Sequence, residues 1–374
     1  MVKYSIGDLV DYHRTHDIDK SFLEYLGKPK RDLLLLHRLN KTPLSDQDMI
    51  AVGLELQDFI IHQFDIADEY HELQNQLSGY NQLNHFYSEI VKPAVRKLKV
   101  SQYDRGKAEA LQRRIEGLPS KEERAVISFL LSLNETDESL QNWSQYVWDC
   151  QLKPYIDWTV FMVPKRVDFE HLVDVKKTDL RMDYAFVGQT LSTEEVMHHV
   201  NYCIDCHQKS NDSCSTGLLD RKTNTYKVNP LGRSLKGCPL NQKISQMHYL
   251  RKSHDIIAAL SVIMVDNPLC IATGDRICND CMVSCIYQKF SPVDTPSVES
   301  DTVMRVLGLT YGAEIYLLLA RWNPLKDKHY MCSYEDMGAV AVVGMGPAGF
   351  SSSYYALMSG ATVVGFDGLP IYID

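Results

Sequence analysis

Apolar residues recur at helical spacing through the first part of the chain. Ser45 is followed by acidic residues, which makes it a candidate N-cap for a helix. Beyond Ser45 the apolar positions return every three or four residues, the period of an amphipathic helix, at Ile50, Leu54, Leu56, Phe59, Ile60, Phe64 and Ile66. Comparable amphipathic stretches cover 80–99, 103–116, 120–133 and 138–150. Residues 1–150 are therefore predicted to form a helical scaffold or docking domain.

The pattern changes after residue 150. Trp158–Val163 is rich in aromatic and β-branched residues, which is typical of a strand, so 151–195 are predicted to be a mixed connecting segment. Ser192 is followed three residues later by Glu195, as in a capping box. This pair predicts the start of a helix that leads toward the first cysteines.

A strand–helix–strand pattern lies near the end of the chain. An apolar run from Ala339 leads into a Gly-x-Gly-x-x-Gly motif, and a helix is predicted to follow it as far as about Met358. A second apolar run begins at Ala361. This order predicts a dinucleotide-binding turn, with its candidate binding residues at Gly344, Gly346, Pro347, Ala348, Gly349 and Asp367.

Each residue type in this motif has a physical role. Gly344 allows the tight turn, Gly346 lets the backbone approach a pyrophosphate, and Gly349 permits close packing of helix on strand. The helix N-terminus favours the diphosphate charge. Asp367 stands 23 positions after the first glycine, where it can accept a hydrogen bond from a ribose hydroxyl.

Composition is that of a soluble globular protein. Hydrophobic residues make up 45% and charged residues 23% of the 374 positions, enough for two or three domains with normal cores. The net charge of −9 argues against a nucleic-acid partner, which would favour a concentrated basic face. The longest apolar run, Ile256–Val265, is about half the length of a membrane span. Because no signal-peptide pattern follows Met1, the expected location is the cytoplasm.

Cysteines are the most informative residues of this sequence, and none of the ten occurs before residue 150. Two-residue gaps let neighbouring thiolates reach adjacent irons of one cluster, and a Cys-Pro step such as Cys238-Pro239 ends such a loop before a helix. Seven thiolates are one short of two four-ligand sites, so the pattern predicts two iron–sulfur clusters with an eighth ligand from elsewhere. The seven grouped cysteines are Cys203, Cys206, Cys214, Cys238, Cys278, Cys281 and Cys285.

Other interpretations of the cysteines stay open. Two Cys-x-x-Cys pairs can bind structural zinc, although the pairs here stand about seventy residues apart, beyond common zinc-ribbon spacing. Zinc would also leave Cys214, Cys238 and Cys285 without roles. A redox-active Cys-x-x-Cys of the thioredoxin type would explain even fewer cysteines. A zinc-stabilised helical interaction protein is therefore the alternative from outside redox chemistry.

The order of these motifs resembles a known family. The chain is similar, over about 196–367, to the small subunit of glutamate synthase and to the N-terminal half of dihydropyrimidine dehydrogenase. It departs from them in the 23 residues between Cys214 and Cys238, where the family has only a few. The resemblance rests on Gly237-Cys-Pro-Leu-Asn241, Asp266-Asn-Pro-Leu269, Thr273-Gly-Asp-Arg-Ile-Cys278, Pro292-Val293 and the Gly344–Gly349 motif.

The resemblance implies two [4Fe–4S] clusters. One would be held by Cys203, Cys206, Cys214 and Cys285. The other would be held by three thiolates and by a carboxylate seven residues after Pro292, namely by Cys238, Cys278, Cys281 and Glu299.

The resemblance also implies the cofactors and the direction of electron flow. The glycine motif would bind FAD, and NAD(P)H would reduce that flavin in the complete enzyme. Single electrons would then pass through the clusters to a further domain or a partner subunit. A cluster-only electron carrier that never forms a flavin site is the alternative within redox chemistry. No catalytic residue is assigned.

The predicted fold is mainly α, with two parts after the helical N-terminal domain and its connecting segment. Residues 196–337 are predicted to form an α-helical ferredoxin-like domain that holds two clusters. Residues 338–374 are predicted to be an incomplete α/β Rossmann-type start, because a doubly wound domain needs more strands to enclose a flavin. The sequence contains no second glycine motif for NAD(P)H.

Overall fold

The computed structural model describes residues 5–78, 191–209, 211–220, 222–229, 232–288, 292–328, 330–333 and 335–368. The amphipathic stretches predicted within 80–150, the strand predicted at Trp158–Val163 and Cys150 lie outside the described residues. Helices account for most of the described chain, so the prediction of a mainly α fold is confirmed at that level.

The described residues contain eighteen labelled helices and strands and one short 3-10 helix. Before the long undescribed segment these are α1 Ile6–Val10, α2 Tyr12–Tyr25, α3 Lys28–Asn40, α4 Asp46–Phe64 and α5 Ala67–Ser78. After it, the first seven are α6 Thr193–Tyr202, α7 Ser213–Thr216, β1 Leu219–Asp220, β2 Thr225–Tyr226, α8 Ile244–Lys252, α9 Ile256–Asp266 and α10 Cys270–Ile277. The last six are α11 Asp280–Ser284, α12 Thr295–Leu307, α13 Gly312–Arg321, β3 Ala339–Val343, α14 Pro347–Met358 and β4 Thr362–Phe366. The short 3-10 helix, Cys206–Lys209, lies between α6 and α7.

The chain divides into two compact units, and each is described by itself. One unit consists of Met1–Gln76, Cys203–Ser284 and Asp294–Asp374. The other consists of Leu77–Tyr202 and Cys285–Val293. Both units are built from separate stretches of chain, whereas the domains predicted from the sequence are continuous segments.

Helix α4 begins where its local sequence predicts. The Ser45 hydroxyl accepts a hydrogen bond from the Asp48 amide at 3.2 Å, and Asp65 ends the helix in the left-handed conformation at φ 55°. The buried face of α4 includes Leu56, Phe59 and Phe64. This face packs against α9, whose apolar side chains are buried on all sides. Burial of apolar area on this scale is the main stabilising contribution to a helical core.

The N-terminus of α9 is completed by side chains from α4 and α5. The hydroxyl of Tyr70 accepts a hydrogen bond from the Ile256 amide at 2.7 Å, and Gln57 accepts one from the Ala258 amide at 3.2 Å. These contacts satisfy amides that a helix N-terminus leaves without intrahelical partners. Residues near the start of the chain therefore help to form the core that carries the cysteine segments of the same unit.

Two small sheets complete the described structure. Strands β1 and β2 form an antiparallel hairpin, and β3 pairs with β4 in parallel. Helix α14 connects β3 to β4, as the strand–helix–strand pattern predicts. In the described part of the chain, no single helix has the length and hydropathy of a membrane span; α12 and α13 reach both only as a pair bent by 118°.

Candidate cluster site and glycine-rich loop

The Cys238 loop is fixed by backbone contacts. The Cys238 amide donates a hydrogen bond to the Cys214 carbonyl at 2.8 Å. The Gly237 amide donates to the buried hydroxyl of Ser284 at 2.9 Å. Gly237 has φ 79°, and a Cβ at that position would lie 2.5 Å from the Gly217 nitrogen. Only glycine therefore fits directly before Cys238.

The 23 residues between Cys214 and Cys238 fold back on themselves, so they do not separate the two cysteines in space. The amide of Leu218 donates to the carbonyl of Leu235 at 2.9 Å, next to the β1–β2 hairpin. The two ends of this segment therefore lie next to each other. Cys214 and Cys238 consequently pack against the same buried residues, which are Ile244, Cys281 and Met282.

Cys278 and Cys281 lie at the junction of two short helices. Cys278 ends α10 in an extended conformation and is exposed, whereas Cys281 lies within α11 and is buried. Asp280, between them, forms an ion pair with Arg233 of the hairpin segment. The ion pair connects the hairpin segment to the Cys-x-x-Cys turn.

Glu299 projects from α12, which begins behind Asp294. The Asp294 carboxylate accepts a hydrogen bond from the Ser297 amide at 3.1 Å, and Pro296 occupies the first turn. This is the common arrangement at a helix start. Glu299, one turn further on, is buried, and its carboxylate accepts a hydrogen bond from the side-chain amide of Gln242 at 2.6 Å. The cap thus sets where the helix begins and which residue faces the interior.

All four residues assigned to the second cluster line one cavity of about 430 Å³. Pro347, Ala348 and Ser351 of α14 line the same cavity. The structure therefore brings together two sets of residues that the sequence analysis treated as separate motifs. The four predicted cluster ligands at this cavity are Cys238, Cys278, Cys281 and Glu299.

Burial and mutual repulsion make it unfavourable for the thiols and the carboxyl group at this cavity to ionise together. Burial raises the pKa of Glu299 to about 8. Burial also raises the pKa of the Cys281 thiol well above its usual range, and the neighbouring Glu299 adds to that shift. The pKa values of Cys238 and Cys278 are raised by burial first and by the Glu299 charge next. Four potential anions of this kind can ionise together only beside a compensating positive charge.

The donor set at the cavity fits an iron–sulfur cluster. Three thiols and one carboxylate supply four ligands, and metal binding would offset the cost of ionising them together. Within the described residues no three His, Cys, Asp or Glu side chains are close enough to hold a single metal ion. The cavity volume is many times the roughly 30 Å³ share of one water molecule, so the space beside these four donors is larger than a single ion requires.

Ligands of the other predicted cluster are distributed over both compact units. Cys203, Cys206 and Cys214 belong to the first unit, and Cys285 belongs to the second. Their assignment to one cluster stays a prediction. Within the first unit, the Lys252 ammonium donates to the Cys203 carbonyl at 2.6 Å. It also donates to the Asp205 carboxylate at 2.6 Å, which fixes the Cys203–Cys206 turn.

The glycine-rich loop has the geometry that its sequence predicts. Gly344 has φ 93°, and a Cβ on Gly349 would lie 1.9 Å from the Gly344 carbonyl oxygen. A Cβ on Gly346 would meet no atom within 4 Å, which leaves the N-terminus of α14 open to a ligand. The Asp367 carboxylate accepts a hydrogen bond from the Met345 amide at 2.8 Å. These residues fit a dinucleotide pyrophosphate, with Asp367 beside the loop.

Two residues near the predicted ligands belong to no sequence motif that indicates a role for them. Gln242 and Lys252 contact the predicted ligand segments only through the tertiary fold. Gln242 lies four residues after Cys238, directly behind the Gly237–Asn241 motif. Neither side chain could be identified by spacing, because the side-chain contacts to Glu299 and to Cys203 join residues that are distant along the chain.

Comparisons with known proteins add relatives of unstated function. Over 100 residues, 27% of its length, the chain is 52% identical to uncharacterized protein RP006 of Rickettsia prowazekii (strain Madrid E). Over 103 residues, 25% of its length, it is 33% identical to uncharacterized protein RP005 of the same organism. The matches span 14% and 35% of those two proteins. No protein-family model matches the chain, and no solved structure matches it significantly.

Proposed function

We propose that this chain is the iron–sulfur electron-transfer module of an NAD(P)H-linked, FAD-dependent oxidoreductase. In this proposal Cys238, Cys278, Cys281 and Glu299 hold one [4Fe–4S] cluster. The second cluster is held by Cys203, Cys206, Cys214 and Cys285. Such clusters accept and release single electrons, which allows them to divide the electron pair of a flavin.

One observation carries the proposal. The four residues proposed for one cluster line the same cavity as Pro347 and Ala348, which begin the helix behind the glycine-rich loop. A cluster and a dinucleotide bound at these residues would therefore be neighbours. Proximity of the two groups is what electron exchange between them requires.

Exposed apolar side chains support a further flavin and NAD(P)H domain or a partner subunit. On the β3–α14–β4 segment Val343 is 86% exposed, Phe350 is 54% exposed and Phe366 is 53% exposed. Several large apolar side chains exposed on one short segment are typical of an interaction surface. In this proposal the partner covers the parallel strands and supplies the rest of the nucleotide site.

The decisive experiment is metal analysis of the chain purified without oxygen. Iron, acid-labile sulfide and zinc are measured per chain, and the visible spectrum is recorded alongside. About eight irons and eight sulfides, with a broad absorbance near 400 nm, are expected for two [4Fe–4S] clusters. Zinc without iron or sulfide would contradict the proposal and would favour the zinc-stabilised interaction protein.

A flavin titration separates the two redox alternatives. FAD is added to the iron-loaded chain and to the chain mixed with candidate partner domains, and quenching of flavin fluorescence is followed. Binding in either mixture supports the flavoenzyme module. Full iron content with no flavin binding in any mixture would favour the cluster-only electron carrier.

A further inference from the structure

Gln242 contacts two of the four residues proposed to hold one cluster. Its main-chain amide donates toward the Cys238 sulfur, a contact that lowers the pKa of that thiol against the larger effect of burial. Its side-chain amide donates to the Glu299 carboxylate at 2.6 Å. The Gln242 side chain is 5% exposed and lines the same cavity. One residue thus connects the cysteine loop to helix α12.

We infer that Gln242 is the positioning residue of this site, which holds the Glu299 carboxylate toward the three cysteines and sets the reduction potential of the cluster bound there. The inference rests on the proposed function. It goes beyond that function because nothing in the ligand pattern assigns a role to Gln242.

The chemistry follows from the hydrogen bond. A buried carboxylate without a donor would be costly and free to rotate. The Gln242 amide fixes one carboxylate oxygen and leaves the group oriented within the cavity. It also withdraws electron density from a ligand to iron, and hydrogen bonds to cluster ligands of this kind raise the reduction potential. Loss of the amide would therefore lower the potential and loosen the ligand.

The first test replaces the amide with a group of similar length that donates no hydrogen bond. Gln242→Met is prepared in the full chain, purified without oxygen, and compared with the unchanged protein by EPR-monitored redox titration. One of the two clusters should shift to a lower midpoint potential, and the other should keep its potential. Cluster loss to an iron chelator should be about 10-fold faster, the size expected for an outer-shell contact.

Gln246→Met is the matched control. Gln246 is also buried, at 3% exposure, and its side-chain amide donates to the Asp46 carboxylate at 2.7 Å. The control loses a side-chain hydrogen bond to a carboxylate that involves none of the four ligands proposed for this cluster. Both midpoint potentials and the chelation rate should stay unchanged in Gln246→Met.

A double-mutant cycle separates positioning from general destabilisation. In the background of Glu299→Cys the carboxylate is gone, so Gln242→Met should no longer shift the potential. The inference is overturned if Gln242→Met leaves both potentials and the chelation rate unchanged in the native background. It is also overturned if Gln246→Met shifts them by the same amount as Gln242→Met. Absence of iron and sulfide from the unchanged protein would instead overturn the proposed function, and the inference with it.

Discussion

The main-chain amide of Cys238 donates a 2.8 Å hydrogen bond to the carbonyl of Cys214, although 23 residues separate them in sequence. The intervening segment contains the β1–β2 hairpin, and near its two ends the amide of Leu218 donates to the carbonyl of Leu235. The long gap in sequence therefore does not separate the two cysteines in space. The predictions below test this arrangement and its neighbours.

Removal of one proposed ligand should halve the iron content. Cys278 is exposed, so Cys278→Ser changes packing little. Iron and sulfide should fall from about eight to about four per chain, because one of two [4Fe–4S] clusters is lost. Cys332→Ser is the control, since Cys332 packs against the Met358 sulfur at 3.2 Å and does not line the cavity. Equal iron content in both variants would contradict the ligand assignment.

Gly237 should tolerate no side chain. Gly237→Ala places a Cβ 2.5 Å from both the Gly217 nitrogen and the Ser215 carbonyl oxygen, and we expect the free energy of unfolding to fall by more than about 1 kcal/mol. Gly232→Ala is the matched control. Gly232 has the same φ of 79°, but a Cβ at that position would meet no atom within 4 Å. The loss of stability in Gly232→Ala therefore reports only backbone strain. Urea unfolding of both variants measures the difference, and similar losses would refute the steric argument.

The glycine-rich loop offers a second matched pair. Gly349→Ala would overlap the Gly344 carbonyl oxygen at 1.9 Å, whereas Gly346→Ala would meet no atom within 4 Å. We expect Gly349→Ala to lower the free energy of unfolding by several kcal/mol or to prevent folding of β3–α14–β4. Gly346→Ala should cost at most about 1 kcal/mol, the usual effect at a helix N-cap. Thermal unfolding followed by circular dichroism compares them, and a more damaging Gly346→Ala would contradict the structure.

Stability should depend on pH through Lys326. Burial lowers the pKa of Lys326 to about 8 from its ordinary value of 10.5. Between these values the unfolded chain binds the proton and the folded chain does not, so the free energy of unfolding rises with pH. The rise attributable to this residue is on the order of 3 kcal/mol.

The measurement compares the unchanged protein with Lys326→Met from pH 7 to pH 11. The free energy of unfolding of the unchanged protein, minus that of the variant, should increase between about pH 8 and 10.5. Lys28→Met is the control, since that side chain is exposed. A flat difference for Lys326→Met across this range would mean that the ammonium keeps its ordinary pKa in the folded protein.

Short-range features were predictable from the sequence. The Ser45 cap, the Ser192–Glu195 capping box and the glycine-rich turn all appear where their patterns predict. Each depends on hydrogen bonds or steric limits within a few residues, so the local sequence contains the information. The identity of the seven grouped cysteines also required only their spacing, although the clusters themselves stay a prediction.

The sequence by itself thus determined the mainly helical class, the helix starts behind Ser45 and Ser192, the glycine-rich turn and the list of candidate ligands. Only the tertiary structure decided that Cys238, Cys278, Cys281 and Glu299 face one cavity and that Pro347 begins a helix beside it. It also decided that Gln242 reaches Glu299, 57 positions away. The reason is physical: local patterns fix backbone conformation over a turn or two, whereas contacts between distant residues depend on how whole helices pack.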